Sequence, residues 1–269
     1  MTQTAADLWR SDTTGYDLPP APAGPPRAGQ LRIDYSQARS VTLDTGVLEE
    51  NRVLTGNAPG PFAESYHLLR AQILHRFREN GRNSLAITSP REGAGKTLTA
   101  INLAISMARM VGYTVLLVDT NLRRPAVLGH LGLPEGWGLG DYLADDVAVE
   151  KLLIRSAHFD DLVILPGGEP LHDSYGPLNS RQMKQLTLDL KTRAHNHIVI
   201  FDLPPVLAST EANSLARQSD TTLLVIEDGV TTKQDTELAV EMIGSDNLAG
   251  TVLNKARAPR RKNSGFFFQ

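Results

Sequence analysis

Glycines at 93 and 95, a lysine at 96 and a threonine at 97 close the stretch Thr88-Ser89-Pro90-Arg91-Glu92-Gly93-Ala94-Gly95-Lys96-Thr97, and these residue types at this spacing hold a polyphosphate. Glycine lets backbone N–H groups wrap the anion. A lysine ammonium supplies a cation for the outer phosphates, and a threonine hydroxyl at a helix N-terminus is a hard ligand for Mg²⁺. The flanks fit: apolar Leu85 to Ile87 precede the loop, and Ala100, Leu103, Ala104 and Met107 follow at helical spacing. Pro90 stands where the first glycine of the pattern usually lies. An ordinary glycine turn is the bland alternative, and it does not require a strand before and a helix after.

Two acidic strand ends complete the chemistry. Val115-Leu116-Leu117-Val118-Asp119 and Ile198-Val199-Ile200-Phe201-Asp202 each read as a buried strand that delivers a carboxylate at its C-terminal edge, where open α/β sheets bind ligands. Mg²⁺ takes one or two carboxylates beside nucleotide phosphates, so Thr97, Asp119 and Asp202 form a magnesium set. Either aspartate alone could equally end a strand or cap a helix; both together behind a phosphate loop favour the site.

The elements that must position these residues alternate. Strands are expected at Leu85 to Thr88, Thr114 to Asp119, Leu162 to Leu165, His197 to Asp202, Thr222 to Glu227 and Gly250 to Asn254. Helices are expected from Pro61 to Gly81, with Phe62, Tyr66, Leu69, Ile73 and Phe77 on one face, then Lys96 to Met110, around Asn179 to Arg193, Ser209 to Arg217 and Lys233 to Ile243. That alternation gives an α/β fold, a mostly parallel sheet with helices on both faces. Residues 1–30, rich in Pro, Ala and Gly, read as a disordered leader. Residues 31–60 are expected to be extended or partly ordered without a firm period, 61–256 to form the phosphate-loop domain, and 257–269 a flexible basic and phenylalanine-bearing tail.

The 269 residues, 41% hydrophobic and 21% charged, suit one soluble core, and a net charge of -3 gives no electrostatic case for nucleic acid. No cysteine is present, so neither a disulfide framework nor a thiolate metal site exists. No apolar run approaches bilayer length and Met1 to Arg10 lacks a signal-peptide core, so a cytoplasmic chain is expected. His195 and His197 alternate along a strand edge with no third ligand nearby and read as ordinary polar residues.

From about Glu64 to Asn254 the chain resembles the bacterial tyrosine kinases of capsule and exopolysaccharide synthesis, and within them the exosortase-associated tyrosine autokinases. The matching blocks are Glu92 to Thr97, Ala100-Ile101-Asn102-Leu103-Ala104, Val115 to Pro125 ending Leu122-Arg123-Arg124-Pro125, Gly138 to Leu143, Leu165 to Gly168, Phe201 to Leu207 and Gly250 to Asn254. The resemblance implies a P-loop NTPase fold of the MinD/ParA-like kind, with ATP and Mg²⁺ as cofactors. It implies Lys96 and Thr97 as the Walker A pair, Asp119 as the leading acid of the second Walker motif near the incoming tyrosine hydroxyl, and Asp202 as the Walker B acid. Glu92, Gly93, Ala94, Gly95, Lys96, Thr97 and Leu98 would hold the phosphates, and Asn254 a purine edge. Arg123 and Arg124 would contact phosphate or a neighbouring subunit, or else be solvated surface arginines. The implied partner is the cytoplasmic segment of a membrane polysaccharide copolymerase, or chain-length regulator, that completes the ATP site. The same resemblance implies a chain with no span of its own, peripheral to the inner membrane through that partner, and able to form a homo-oligomer.

Three departures bear on activity. Asn121 replaces the second acid of Asp-x-Asp, and so offers an oxygen without charge or base strength. His67 stands between Glu64 and Arg70 where an interface arginine belongs. The tail carries Phe266, Phe267 and Phe268 where such kinases carry acceptor tyrosines, and none of the six tyrosines lies beyond Tyr175. The phenylalanines are either native or replaced tyrosines. Three readings remain: a tyrosine kinase regulating exopolysaccharide synthesis, a nucleotide-binding scaffold with vestigial phosphotransfer, and a partition or positioning ATPase. The last is disfavoured by Arg91, where those carry a signature lysine, and by the Leu122 to Pro125 block.

Overall fold

The computed structural model describes residues 33–55, 60–145, 147–192 and 196–256. The leader (1–30) and tail (257–269) expected from the sequence, and His195, lie outside the described residues. Eight strands are present: β1 (Arg39–Val41), β2 (Ser84–Thr88), β3 (Thr114–Asp119), β4 (Ile154–Ser156), β5 (Phe159–Leu165), β6 (His197–Asp202), β7 (Thr221–Glu227) and β8 (Leu248–Asn254). They form one sheet in the order β1-β4-β5-β3-β6-β2-β7-β8, parallel except for the β4–β5 pair. The helices are α1 (Thr45–Glu50), α2 (Pro61–Asn80), α3 (Lys96–Ala108), α4 (Val127–His130), α5 (Leu139–Asp145), α6 (Tyr175–Asn179), α7 (Arg181–Lys191), α8 (Thr210–Gln218) and α9 (Lys233–Ile243).

The two-residue period of a strand sorts its side chains between two cores. Leu85, Ile87, Val115, Leu117, Ile198 and Ile200 pack with α2 and α3 on one face. Ala86, Leu116, Val118, Val199 and Phe201 pack with α7 and α8 on the other. Because both faces are covered, the central strands are apolar at nearly every position, and the sheet's carboxyl edge is where polar side chains surface.

Several boundaries differ from the sequence expectation, each for a local reason. The segment 31–60 contributes the edge strand β1 and the short α1, capped by Asp44, whose Oδ1 accepts the Gly46 and Val47 N–H groups. Three-residue strands such as β1 and β4 are too short to carry a period. The helix expected around 179–193 is α7, which starts only at Arg181 because Ser180 is extended and its hydroxyl accepts the Met183 N–H; the short α6, not expected from the sequence, precedes it. Helix α3 stops at Ala108, two residues before the expected Met110. Phe62 is not part of the buried face of α2 but lies exposed, edge-on to Tyr66 at 5.3 Å.

Candidate nucleotide site

The phosphate loop runs from β2 into α3, and each of its turns is held by a separate element. Thr88 Oγ1 donates to the Pro204 carbonyl at 2.7 Å, and Val206 N–H donates to the Ser89 carbonyl, so the loop is stitched to the segment following β6. Arg91 donates twice to Asp235 of α9, at 2.7 and 2.9 Å. Gly95 has a φ of +89°, and a Cβ there would overlap the Asn254 amide nitrogen, which donates to the Ala94 carbonyl at 2.8 Å. Only glycine meets both conditions. Leu98 is half-buried and packs into the core below the loop.

Lys96 is the first residue of α3, and only 9% exposed. Its ammonium donates to Thr97 Oγ1 at 3.0 Å and lies 3.6 Å from Asp202 Oδ1, while the Thr97 hydroxyl donates to Asp202 Oδ2 at 2.7 Å. Asp202 is fully buried, and its Oδ1 has no hydrogen-bond partner. Burial pushes its carboxyl above the ordinary range, against the pull of Lys96 and of the Thr97 hydroxyl. A buried carboxylate oxygen without a donor, beside a hydroxyl at a helix N-terminus, suits a hard divalent cation. Among the described residues no three Asp, Glu or His side chains gather as a self-sufficient metal cage.

Asp119 and Asp202 are register partners on the adjacent strands β3 and β6. Asp119 Oδ1 accepts the Asn121 N–H at 3.1 Å, and Oδ2 accepts the Ala126 and Val127 N–H groups at 2.9 and 3.1 Å, at the start of α4. Burial, with the neighbouring Asp202 charge, pushes this carboxyl up to about 7, although those two α4 amides and Lys96 pull it down. Asp202 thus meets Lys96 and Thr97 directly, while Asp119, its register partner, is near enough to feel the Lys96 charge.

The other sequence candidates divide. Arg124 pairs with Glu92 across the exposed rim, which joins the phosphate loop to the loop after β3. Arg123 donates to Ser174 Oγ at 3.3 Å and lies 3.9 Å from Glu211, itself buried on α8. Asn121 is buried. On α2, Glu64 and His67 are exposed, whereas Arg70 turns inward and donates to the Ser106 carbonyl at 2.7 Å. His197 is buried and stacks on Tyr35 at 5.2 Å.

Sequence reasoning assigned no role to Asp235, Glu211, His130 or Gly167. Half-buried His130, at the end of α4, is near enough to feel the charges of Asp202 and Lys96, and its burial lowers its basicity. A Cβ on Gly167 would come within 2.8 Å of Pro125 and 3.5 Å of the Asp119 carboxyl carbon. The Pro166-Gly167-Gly168 loop therefore walls Asp119. A paired glycine is a visible signal for such close approach, but nothing local marks a partner such as Asp235, 144 residues from Arg91.

A family model described as AAA domain matches residues 83–243. The tyrosine-protein kinase YwqD of Bacillus subtilis is 30% identical over 207 residues, covering 76% of this chain and 86% of that protein. The chain belongs to the bacterial tyrosine-protein kinases. The kinase domain of the Escherichia coli tyrosine kinase Etk superposes with a TM-score of 0.68 at 26% identity, over 79% of this chain and 83% of that one. The cell-division ATPase MinD of Pyrococcus furiosus superposes at 0.54 and 25% identity, over 64% and 71%. The eight-stranded sheet is accordingly that of the MinD/ParA-like P-loop NTPases. This bacterial tyrosine-protein kinase spans about a third or less of some longer relatives. Among its described residues no helix is long and apolar enough to cross a membrane.

Proposed function

We propose that the chain transfers the γ-phosphoryl group of ATP to protein tyrosine, and that it regulates exopolysaccharide or capsule synthesis together with a membrane copolymerase. The observation that carries this reading is the bonded series Lys96, Thr97, Asp202 with Asp119 in register beside it. The backbone of residues 92–98 would cradle the phosphates, and Asn254, whose amide bonds the loop at Ala94, would meet the purine. Lys96 neutralises the outer phosphate oxygens. Thr97, Asp202 and Asp119 would hold Mg²⁺, which when bound would compensate charge on the nucleotide phosphates. Asp119 takes the role of base. The phenol oxygen bonds to the γ-phosphorus, the bond from phosphorus to the bridging oxygen of the β-phosphate breaks, ADP leaves, and the phenol proton passes to Asp119. A carboxyl lifted to about 7 is well matched to that task near neutral pH.

A second reading is a nucleotide-dependent scaffold with weak phosphotransfer. Asn121 favours it, as does the use of both Asp119 oxygens by backbone N–H groups. The test is intact-mass spectrometry after incubation with Mg²⁺-ATP and the copolymerase's cytoplasmic segment, with Lys96→Met as control. Kinase action predicts added mass of one or more phosphates on either protein, falling at least 100-fold in rate in the control. ATP binding without added mass selects the scaffold.

A further inference from the structure

We propose that Tyr175 is a phosphate acceptor on this chain, phosphorylated by a second copy. The inference rests on the kinase reading above. A phenol can attack phosphorus only if its oxygen is exposed enough to enter an active site, and the fold withdraws the other described tyrosines from that contact. Tyr66 and Tyr142 are 9% and 8% exposed, and burial raises the Tyr66 phenol above its ordinary range. Tyr35 is half-buried against His197, and Tyr113 is half-buried with its hydroxyl accepting from Arg78 at 3.5 Å. Tyr175 is 56% exposed.

Its backbone is nonetheless anchored, so the phenol is presented from a fixed place. The Tyr175 N–H donates to Asp173 Oδ1 at 3.0 Å, and its carbonyl accepts from Asn179 at 3.0 Å. Ser174 is buried, with its hydroxyl donating to Glu211 at 2.8 Å and accepting from Arg123. Leu171 N–H donates to the Leu122 carbonyl at 2.7 Å. These contacts tie the segment that carries Tyr175 to the loop that follows Asp119. Exposed Glu169 and Asp173 give it an acidic approach. In the transfer, the Tyr175 oxygen of one copy bonds to the γ-phosphorus held by the other. ADP leaves and the phenol proton passes to Asp119 of the donor copy.

The experiment mixes Lys96→Met chain, which retains the acceptor, with Tyr175→Phe chain, which retains the nucleotide site, in Mg²⁺-ATP and the copolymerase segment. Phosphotyrosine is mapped by tandem mass spectrometry, and a Glu/Tyr copolymer reports kinase activity separately. The proposal expects phosphate at Tyr175 of the Lys96→Met chain, with copolymer phosphorylation by Tyr175→Phe within twofold of the parent. Copolymer phosphorylation with no phosphate at Tyr175, or with phosphate at Tyr16 or Tyr113 instead, overturns the acceptor and leaves the kinase reading standing. No copolymer phosphorylation by the parent chain overturns both.

Discussion

Asp119 feels opposing influences on one carboxyl group: burial and the Asp202 charge raise its proton affinity, while two amides of α4 and the Lys96 ammonium lower it, and the first pair prevails. The sign for stability follows. In the unfolded chain the group ionises near 3.8, and in the folded chain near 7. Between those values the unfolded state has released a proton that the folded state retains, so stability falls as pH rises through the window and levels off above it. Asp202, also raised by burial, acts in the same direction. We expect the stability of the parent relative to Asp119→Asn, measured by urea unfolding without nucleotide, to decline by an amount on the order of 3–4 kcal/mol from pH 4 to pH 7. A difference independent of pH would place Asp119 in a solvated environment. The two aspartates are legible in the sequence because each ends an apolar run; the unequal demands on their oxygens are not, since the amides bonding Asp119 Oδ2 lie seven and eight residues ahead, at the cap and first residue of a helix of only four.

Elements from far along the chain converge on the phosphate loop. Helix α9 grips Arg91 and strand β8 delivers Asn254 onto Ala94, so the loop is shaped by residues more than 140 positions away. Such pairings leave no trace in local period, whereas β3 and β6 were read to the residue because a buried parallel strand is a continuous apolar run with a polar stop. Register, too, was invisible before the sheet existed: only pairing shows that Asp119 faces Asp202. The Gly95–Asn254 packing yields a prediction at this scale. Gly95→Ala meets a φ of +89° as well as the Asn254 amide, and should weaken nucleotide affinity at least 10-fold by calorimetric titration. Asn254→Ala frees the space but not the dihedral. The double variant should therefore bind better than the sum of the two single losses, because the overlap is removed only once. Strict additivity would mean that the two residues do not meet in the folded chain.

At the scale of the whole molecule, the sheet places two carboxylates in adjacent register and buries both, an arrangement that disfavours the unliganded fold and favours whatever brings positive charge. Lys96 compensates only part of it, since Asp202 Oδ1 has no donor. Binding energy then appears as folding energy. At a nucleotide concentration 100 times Kd, Mg²⁺-ADP should stabilise the chain by about 2.7 kcal/mol, or roughly 5–11 °C in Tm for a domain of this size. EDTA should remove most of that gain, and Asp202→Asn should make the remainder insensitive to Mg²⁺. The pH dependence separates this account from simple phosphate binding by the loop. Below pH 6, where Asp119 retains its proton, little carboxylate repulsion exists for the cation to relieve, and protons compete with the cation for the pair. Above pH 7 both effects reverse. The Mg²⁺-dependent part of the Tm shift, followed by scanning calorimetry, should therefore grow from pH 5.5 to pH 8, and a constant shift would mean that the phosphates alone, and not the paired aspartates, hold the ion.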